Sequence, residues 1–127
     1  MPKVAIVDFG MGNLYSVERA CEKAGLEALV TRDPLDVDRA QAVILPGVGA
    51  FADAVMELRS RGFDELVKRY VDTGRPFLGI CVGAQLLFDV GEEHGEHAGL
   101  GLIPGRVQPV PAINPAGRPL RVPHIGW

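Results

Sequence analysis

The sequence predicts an α/β fold: an open, mostly parallel sheet with helices on both faces. Three observations carry this expectation. Short apolar runs alternate four times with longer amphipathic runs between Lys3 and Cys81. Glycine-rich segments, Asp8–Asn13 and Pro46–Gly49, follow two of the apolar runs, and Gly79–Gly83 brackets the end of a third. Right-handed crossovers then fold such alternation into one sheet covered on each side. Ligands bind such sheets beyond the carboxyl ends of the strands. The three glycine-rich segments all fall at such ends, so they are expected to line one crevice.

At 127 residues the chain is one domain, 1–127, large enough to bury a core. It is 47% hydrophobic, yet no apolar run approaches the ~18 residues of a membrane span. Met1-Pro2-Lys3-Val4 enters the first strand without a signal-peptide layout. Two cysteines, Cys21 and Cys81, make no disulfide framework, which suits a reducing cytoplasm. A net charge of −3 with mixed signs gives no basic stripe for nucleic acid.

Lys3–Asp8 reads as a first strand, apolar enough for burial on both faces. Leu14, Val17, Cys21 and Ala24 then recur at helical spacing, which puts Cys21 in the core, and Gly25 stops the helix. Gly10 and Gly12 do not begin a dinucleotide fingerprint. The third glycine is replaced by Tyr15, and no acidic residue stands at a strand end about 20 residues on. Ala28–Thr31 is a second strand. Asp33-Pro34 is an N-cap followed by proline at the first position of a short helix. Ala42–Leu45 is a third strand. Phe51, Val55 and Leu58 mark a helix to about Arg61, broken by Gly62; Phe63, Leu66, Val67 and Tyr70 mark another, stopped by Gly74. Pro76–Ile80 is a fourth strand, and it delivers Cys81.

The segment Gly79-Ile80-Cys81-Val82-Gly83 is a glycine–x–nucleophile–x–glycine elbow with cysteine as the nucleophile. The apolar run Val82–Val90 is long enough for a helix, whose N-terminus would favour the thiolate. A small apolar cysteine in a buried turn is the bland alternative. Gly91–Gly99, with Glu92, Glu93, His94, Glu96 and His97, reads as a solvated polar loop rather than a metal site. Short strands at Arg106–Val110 and Leu120–Val122 fit a hairpin-like addition among glycines and prolines.

Four segments occur in order: Asp8-Phe9-Gly10-Met11-Gly12-Asn13-Leu14, Leu45-Pro46-Gly47-Val48-Gly49-Ala50-Phe51, Gly79–Gln85 and Pro123-His124-Ile125-Gly126-Trp127. Together they resemble the glutaminase subunits of imidazole glycerol phosphate synthase, class I (triad-type) glutamine amidotransferases with a flavodoxin-like core. The resemblance runs from Lys3 to Trp127 and covers the N-terminal part of such a subunit. It implies hydrolysis of glutamine to glutamate and ammonia, with ammonia passing to a (β/α)8 cyclase subunit in histidine biosynthesis. Cys81 matches the nucleophile. The N–H of Val82 matches one oxyanion donor, and Val48 or Gly49 supplies the other. Gln85 and Gly47 match the substrate pocket. Asn13 and Trp127 match regions facing the cyclase in a cytoplasmic heterodimer, and no cofactor or metal is implied.

One departure matters. The family's catalytic histidine, and the glutamate two residues after it, are expected past Trp127. His94 and His97 follow the elbow too closely, and His124 belongs to the interface-like segment. Residues 1–127 alone are therefore expected to be inactive. Two alternatives stand beside this reading: a cysteine-elbow protein of the same superfamily without glutaminase activity, and an inactive fragment that only binds the cyclase. Gln85 and the Pro46–Gly49 loop argue against the first.

Overall fold

The computed structural model describes residues 3–111, 113 and 115–119. Its main sheet has four parallel strands in the order β2-β1-β3-β4. These are β1 (Lys3–Val7), β2 (Glu27–Thr31), β3 (Ala42–Gly47) and β4 (Phe77–Cys81). The connecting helices are α1 (Leu14–Lys23), α2 (Pro34–Arg39), α3 (Phe51–Ser60) and α4 (Phe63–Asp72). The strand order reverses between β1 and β3, which places a switch point at their carboxyl ends.

Alternate strand residues serve opposite faces. Ala5, Val7, Val43 and Leu45 pack beneath α2, α3 and α4 with Phe51, Leu58, Phe63, Leu66 and Tyr70. Val4, Ile6 and Ile44 pack instead with Cys21 of α1. Central strands used on both sides must be apolar throughout, and residues 4–7 are all buried. Cys21 lies in the core, where burial pushes its thiol pKa up and the charges of Glu18 and Glu22 add to the shift.

Local signals set the helix ends. The Asp33 carboxylate accepts the Leu35 N–H at 2.9 Å, with Pro34 in the first turn. Gly62 adopts φ +73° between α3 and α4, a conformation that costs an L side chain about 1 kcal/mol or more. In α4, the Tyr70 hydroxyl donates to the Ala40 carbonyl at 2.8 Å, and Arg75 stacks on its ring at 4.0 Å.

The structure corrects the expected helix over Val82–Val90. Only one turn forms, α5 (Val82–Gln85), and the chain then enters β5 (Phe88–Gly91). The Leu86 carbonyl accepts the Leu100 N–H at 2.8 Å, and the Leu87 carbonyl accepts the Leu102 and Ile103 N–H groups. Those long-range bonds take the place of the i→i+4 ladder that a helix requires. A second sheet results, in the order β6-β5-β7, with β6 (His97–Ala98) antiparallel to β5 and β7 (Ile103–Val107) parallel to it.

The strand expected at Arg106–Val110 therefore begins three residues earlier, at Ile103, because its pairing with Phe88 and Gly91 sets the register. It pairs in parallel with β5. The segment Gly91–Gly99 is also not wholly loop, since His97 and Ala98 pair with Gly91 and Val90. Leu120–Val122 lies outside the described residues, as do His124 and Trp127.

Candidate active site

Cys81 closes β4 and opens α5 with φ 55° and ψ −126°. Among the described residues only His94 shares a positive φ outside glycine. Such a conformation costs about 1–3 kcal/mol and persists only where surrounding contacts over-determine it. Here backbone meets backbone. A Cβ on Gly83 would lie 1.9 Å from the Leu45 carbonyl oxygen. One on Gly79 would lie 2.6 Å from Ala84 Cα, and one on Gly47 would lie 3.0 Å from the Gly83 nitrogen. Glycines thus let β3, β4 and α5 touch without intervening side chains, and that contact forces the sharp turn at Cys81. The thiol is exposed. A one-turn α5 supplies little of the macrodipole expected of a longer helix.

Strand register brings in the second segment, because Gly47 pairs with Cys81 across β3 and β4. Val48 and Gly49 follow at the carboxyl edge, both exposed, and Gly49 takes φ +101°. The third segment packs against them. A Cβ on Gly12 would lie 3.3 Å from the Pro46 carbonyl carbon, and one on Gly49 would lie 3.0 Å from Met11 Cε. Asp8–Asn13, Pro46–Gly49 and the elbow therefore converge, as expected from their places at strand ends. As the first residue of α5, Val82 has an N–H with no intrahelical partner.

Gln85, at the end of that turn, lines a cavity of about 240 Å³ with Glu93, Val107, Gln108, Pro109 and Val110. Asn13 caps α1, its side-chain oxygen accepting the Ser16 N–H at 3.3 Å. At the end of β1, burial pushes the Asp8 carboxyl pKa up. The hydrogen bonds from Arg32 and the Gly10 N–H, with the charges of Arg32 and Arg61, outweigh burial and hold the pKa below its ordinary value.

His94 and His97 stay in the second sheet and its turn. The His97 Nε2 contacts the His94 carbonyl, and Arg106 holds both Glu92 and Glu96. Among the described residues no side chain hydrogen-bonds the Cys81 thiol, and no cluster of His, Cys, Asp and Glu fit for a metal assembles. One side chain escaped the sequence reading. Glu93 reaches the first turn of α3, where it accepts the Phe51 N–H at 3.1 Å.

A parallel sheet delivering a cysteine elbow beside a glycine-rich loop is the arrangement of the class-I glutamine amidotransferases. The profile described as "Glutamine amidotransferase class-I" matches residues 5–116, and the chain belongs to that family. It is 52% identical over 125 residues to the imidazole glycerol phosphate synthase subunit HisH of Syntrophotalea carbinolica, covering 98% of this chain and 61% of that one. Against the subunit of the same name from Geobacter sulfurreducens it is 51% identical over 128 residues, covering 100% and 61%. The chain thus spans about three fifths of the length of these relatives. A crystal structure of a glutamine amidotransferase superposes with a TM-score of 0.66 at 25% identity, over 78% of this chain and 52% of that one. A Listeria monocytogenes protein described provisionally as a peptidase E superposes with 0.67 at 14% identity, over 80% and 63%, which shows a shared fold alone.

Proposed function

We propose that this chain is part of the glutaminase subunit of an imidazole glycerol phosphate synthase. In this reading Cys81 attacks the side-chain amide carbon of glutamine, and ammonia leaves as a thioester forms. Water then cleaves the thioester to release glutamate and return the thiol. Each step passes through a tetrahedral oxyanion. The N–H of Val82 and one from Val48 or Gly49 stabilise it, and each such donor contributes about 3–4 kcal/mol in a site shielded from water. Gln85 and Gly47 shape the substrate pocket. Ammonia passes to a cyclase subunit, against which Asn13 and the Trp127 segment lie, in a cytoplasmic heterodimer.

The observation that carries this reading is the strained Cys81, held in register with Gly47 of the candidate oxyanion loop. The family description supports the choice of glutamine, and the names of the relatives support a subunit of an imidazole glycerol phosphate synthase. The proton acceptor for Cys81 is assigned by resemblance to a histidine past Trp127, oriented by a glutamate. An ammonia-release assay tests the proposal. The full-length chain with its cyclase should hydrolyse glutamine, and Cys81→Ser should lower the rate by about 10³-fold or more. Residues 1–127 alone should release none. An unchanged rate in the Cys81→Ser protein refutes the assignment of the nucleophile, and cyclase-stimulated release by the short chain refutes the placement of the base.

A further inference from the structure

The turn after β1 packs along the candidate oxyanion loop. The Phe9 ring lies against Gly47, 3.5 Å from where a Cβ would stand. Met11 Cε meets Gly49, and Gly12 meets the Pro46 carbonyl. Phe9 is fully buried, which fixes the first of these contacts. The rest of the turn is less secured: Gly10 is exposed, and Met11 and Gly12 are half-buried. Gly10 takes φ +90° and Gly12 φ +136°. Two glycines in so short a span add backbone freedom, so the turn needs a tie from outside to keep one shape.

Asp8 supplies that tie. Its Oδ1 accepts the Gly10 N–H at 3.0 Å, which closes the turn. Its Oδ2 accepts the Arg32 Nε–H at 2.9 Å, just past the end of β2. The main chain reinforces this junction, since the Asp8 N–H donates to the Thr31 carbonyl at 2.9 Å. From the other side Arg61, the C-cap of α3, lies over the turn: a Cβ on Gly10 would stand 3.1 Å from a guanidinium nitrogen. Arg61 is held in turn by Glu57 at 3.4 Å. The Asp8 side chain is only 15% exposed, so this ion pair is less screened than one lying wholly on the surface.

We propose that Asp8 is a positioning residue for the oxyanion loop: by joining the Gly10 N–H to Arg32 it fixes the shape of the turn, and through Met11 and Gly12 the turn fixes the backbone of Pro46–Gly49. Val48 and Gly49 are exposed, so where their N–H groups point depends on what the loop rests against. Asp8 is not among the residues lining the cavity beside Gln85, and it acts through the turn instead of on bound glutamine. The inference rests on the glutaminase reading, since an oxyanion loop has a task only in that reaction. The tie between Asp8, Gly10 and Arg32 does not depend on it.

The two parts separate in one experiment on the full-length chain with its cyclase. Asp8→Asn keeps an oxygen for Gly10 and loses the charge facing Arg32; Asp8→Ala loses both. Arg32→Gln removes the same charge pair from the other side. Amide hydrogen exchange at Gly10 should accelerate about fivefold in Asp8→Ala, the size expected for one lost hydrogen bond, and less in Asp8→Asn. Glutamine kcat should fall about tenfold in Asp8→Ala and about threefold in Asp8→Asn and in Arg32→Gln, with KM little changed, because a displaced donor affects the oxyanion more than the bound amide. Asp8→Asn combined with Arg32→Gln should be no slower than either alone, as for two members of one contact. Should Asp8→Ala not fold, these milder variants decide. A rise in KM with kcat unchanged overturns the proposal, and so do losses that multiply in the double variant. Faster exchange with unchanged kcat overturns it too, since the tie would then be structural only. A wild-type protein that does not hydrolyse glutamine refutes the glutaminase reading and with it any role for an oxyanion loop. The exchange data then still decide whether Asp8 holds the turn.

Discussion

The two faces of the main sheet are finished to different degrees. On one face α2, α3 and α4 cover the strands, and Phe51, Phe63, Leu66 and Tyr70 are essentially inaccessible. On the other, among the described residues, α1 covers β1 and its neighbours, with Cys21 as its one buried residue. An apolar groove of about 200 Å³ lies there among the described residues, lined by Leu26, Ile44 and Leu78 among others, and Leu78 is 55% exposed. The difference shows where the fold's stability resides. Burial of apolar area drives folding at about 25 cal/mol per Å², so the closed face contributes most of it. Cys81 sits at the end of β4, one of the two edge strands of this sheet among the described residues.

Substitutions can break this comparison, and the closed face should respond most. Phe63→Ala should cost about 3–5 kcal/mol, read as a loss of the urea midpoint, because a fully buried ring leaves a cavity. A loss below about 1 kcal/mol would mean that α4 packs loosely. Tyr70→Phe removes a buried donor from Ala40, but the Ala40 carbonyl keeps the Arg75 guanidinium at 2.9 Å. The loss should therefore be about 1 kcal/mol, the net value of one hydrogen bond. On the open face Leu78→Thr should change stability by no more than about 0.5 kcal/mol, since the side chain is largely hydrated already. It should also reduce self-association in sedimentation, because it removes apolar surface from an edge strand. A destabilisation as large as that of Phe63→Ala would show the two faces to be equivalent.

The sequence showed the first half of the chain more clearly than the second, for a physical reason. From β1 to β4 each element carries its own period, and Asp33, Gly25, Gly62 and Gly74 mark ends by their local chemistry. Beyond Cys81 the deciding partners are distant. Val82–Val90 is apolar without a discriminating period, so a buried helix and a strand read alike. Leu100, Leu102 and Ile103 settle it by taking the Leu86 and Leu87 carbonyls. The convergence of the three glycine-rich segments was legible because strand ends in a parallel sheet share an edge. The Glu93 cap was not, because Ala50 gives no sign that its helix borrows an acceptor from elsewhere.

Gly83 has a consequence for how this family can vary. A Cβ at that position would overlap the Leu45 carbonyl oxygen, so β3 and α5 meet at the closest approach two backbones allow. A joint seated on main chain alone has the dimensions of the peptide unit, which every sequence shares. Side chains throughout the domain can drift in size without moving it. The spacing between the nucleophile and the loop opposite is in that sense a gauge block. It holds whatever side chains surround it, provided that one hydrogen atom, and nothing larger, occupies the side-chain position of Gly83.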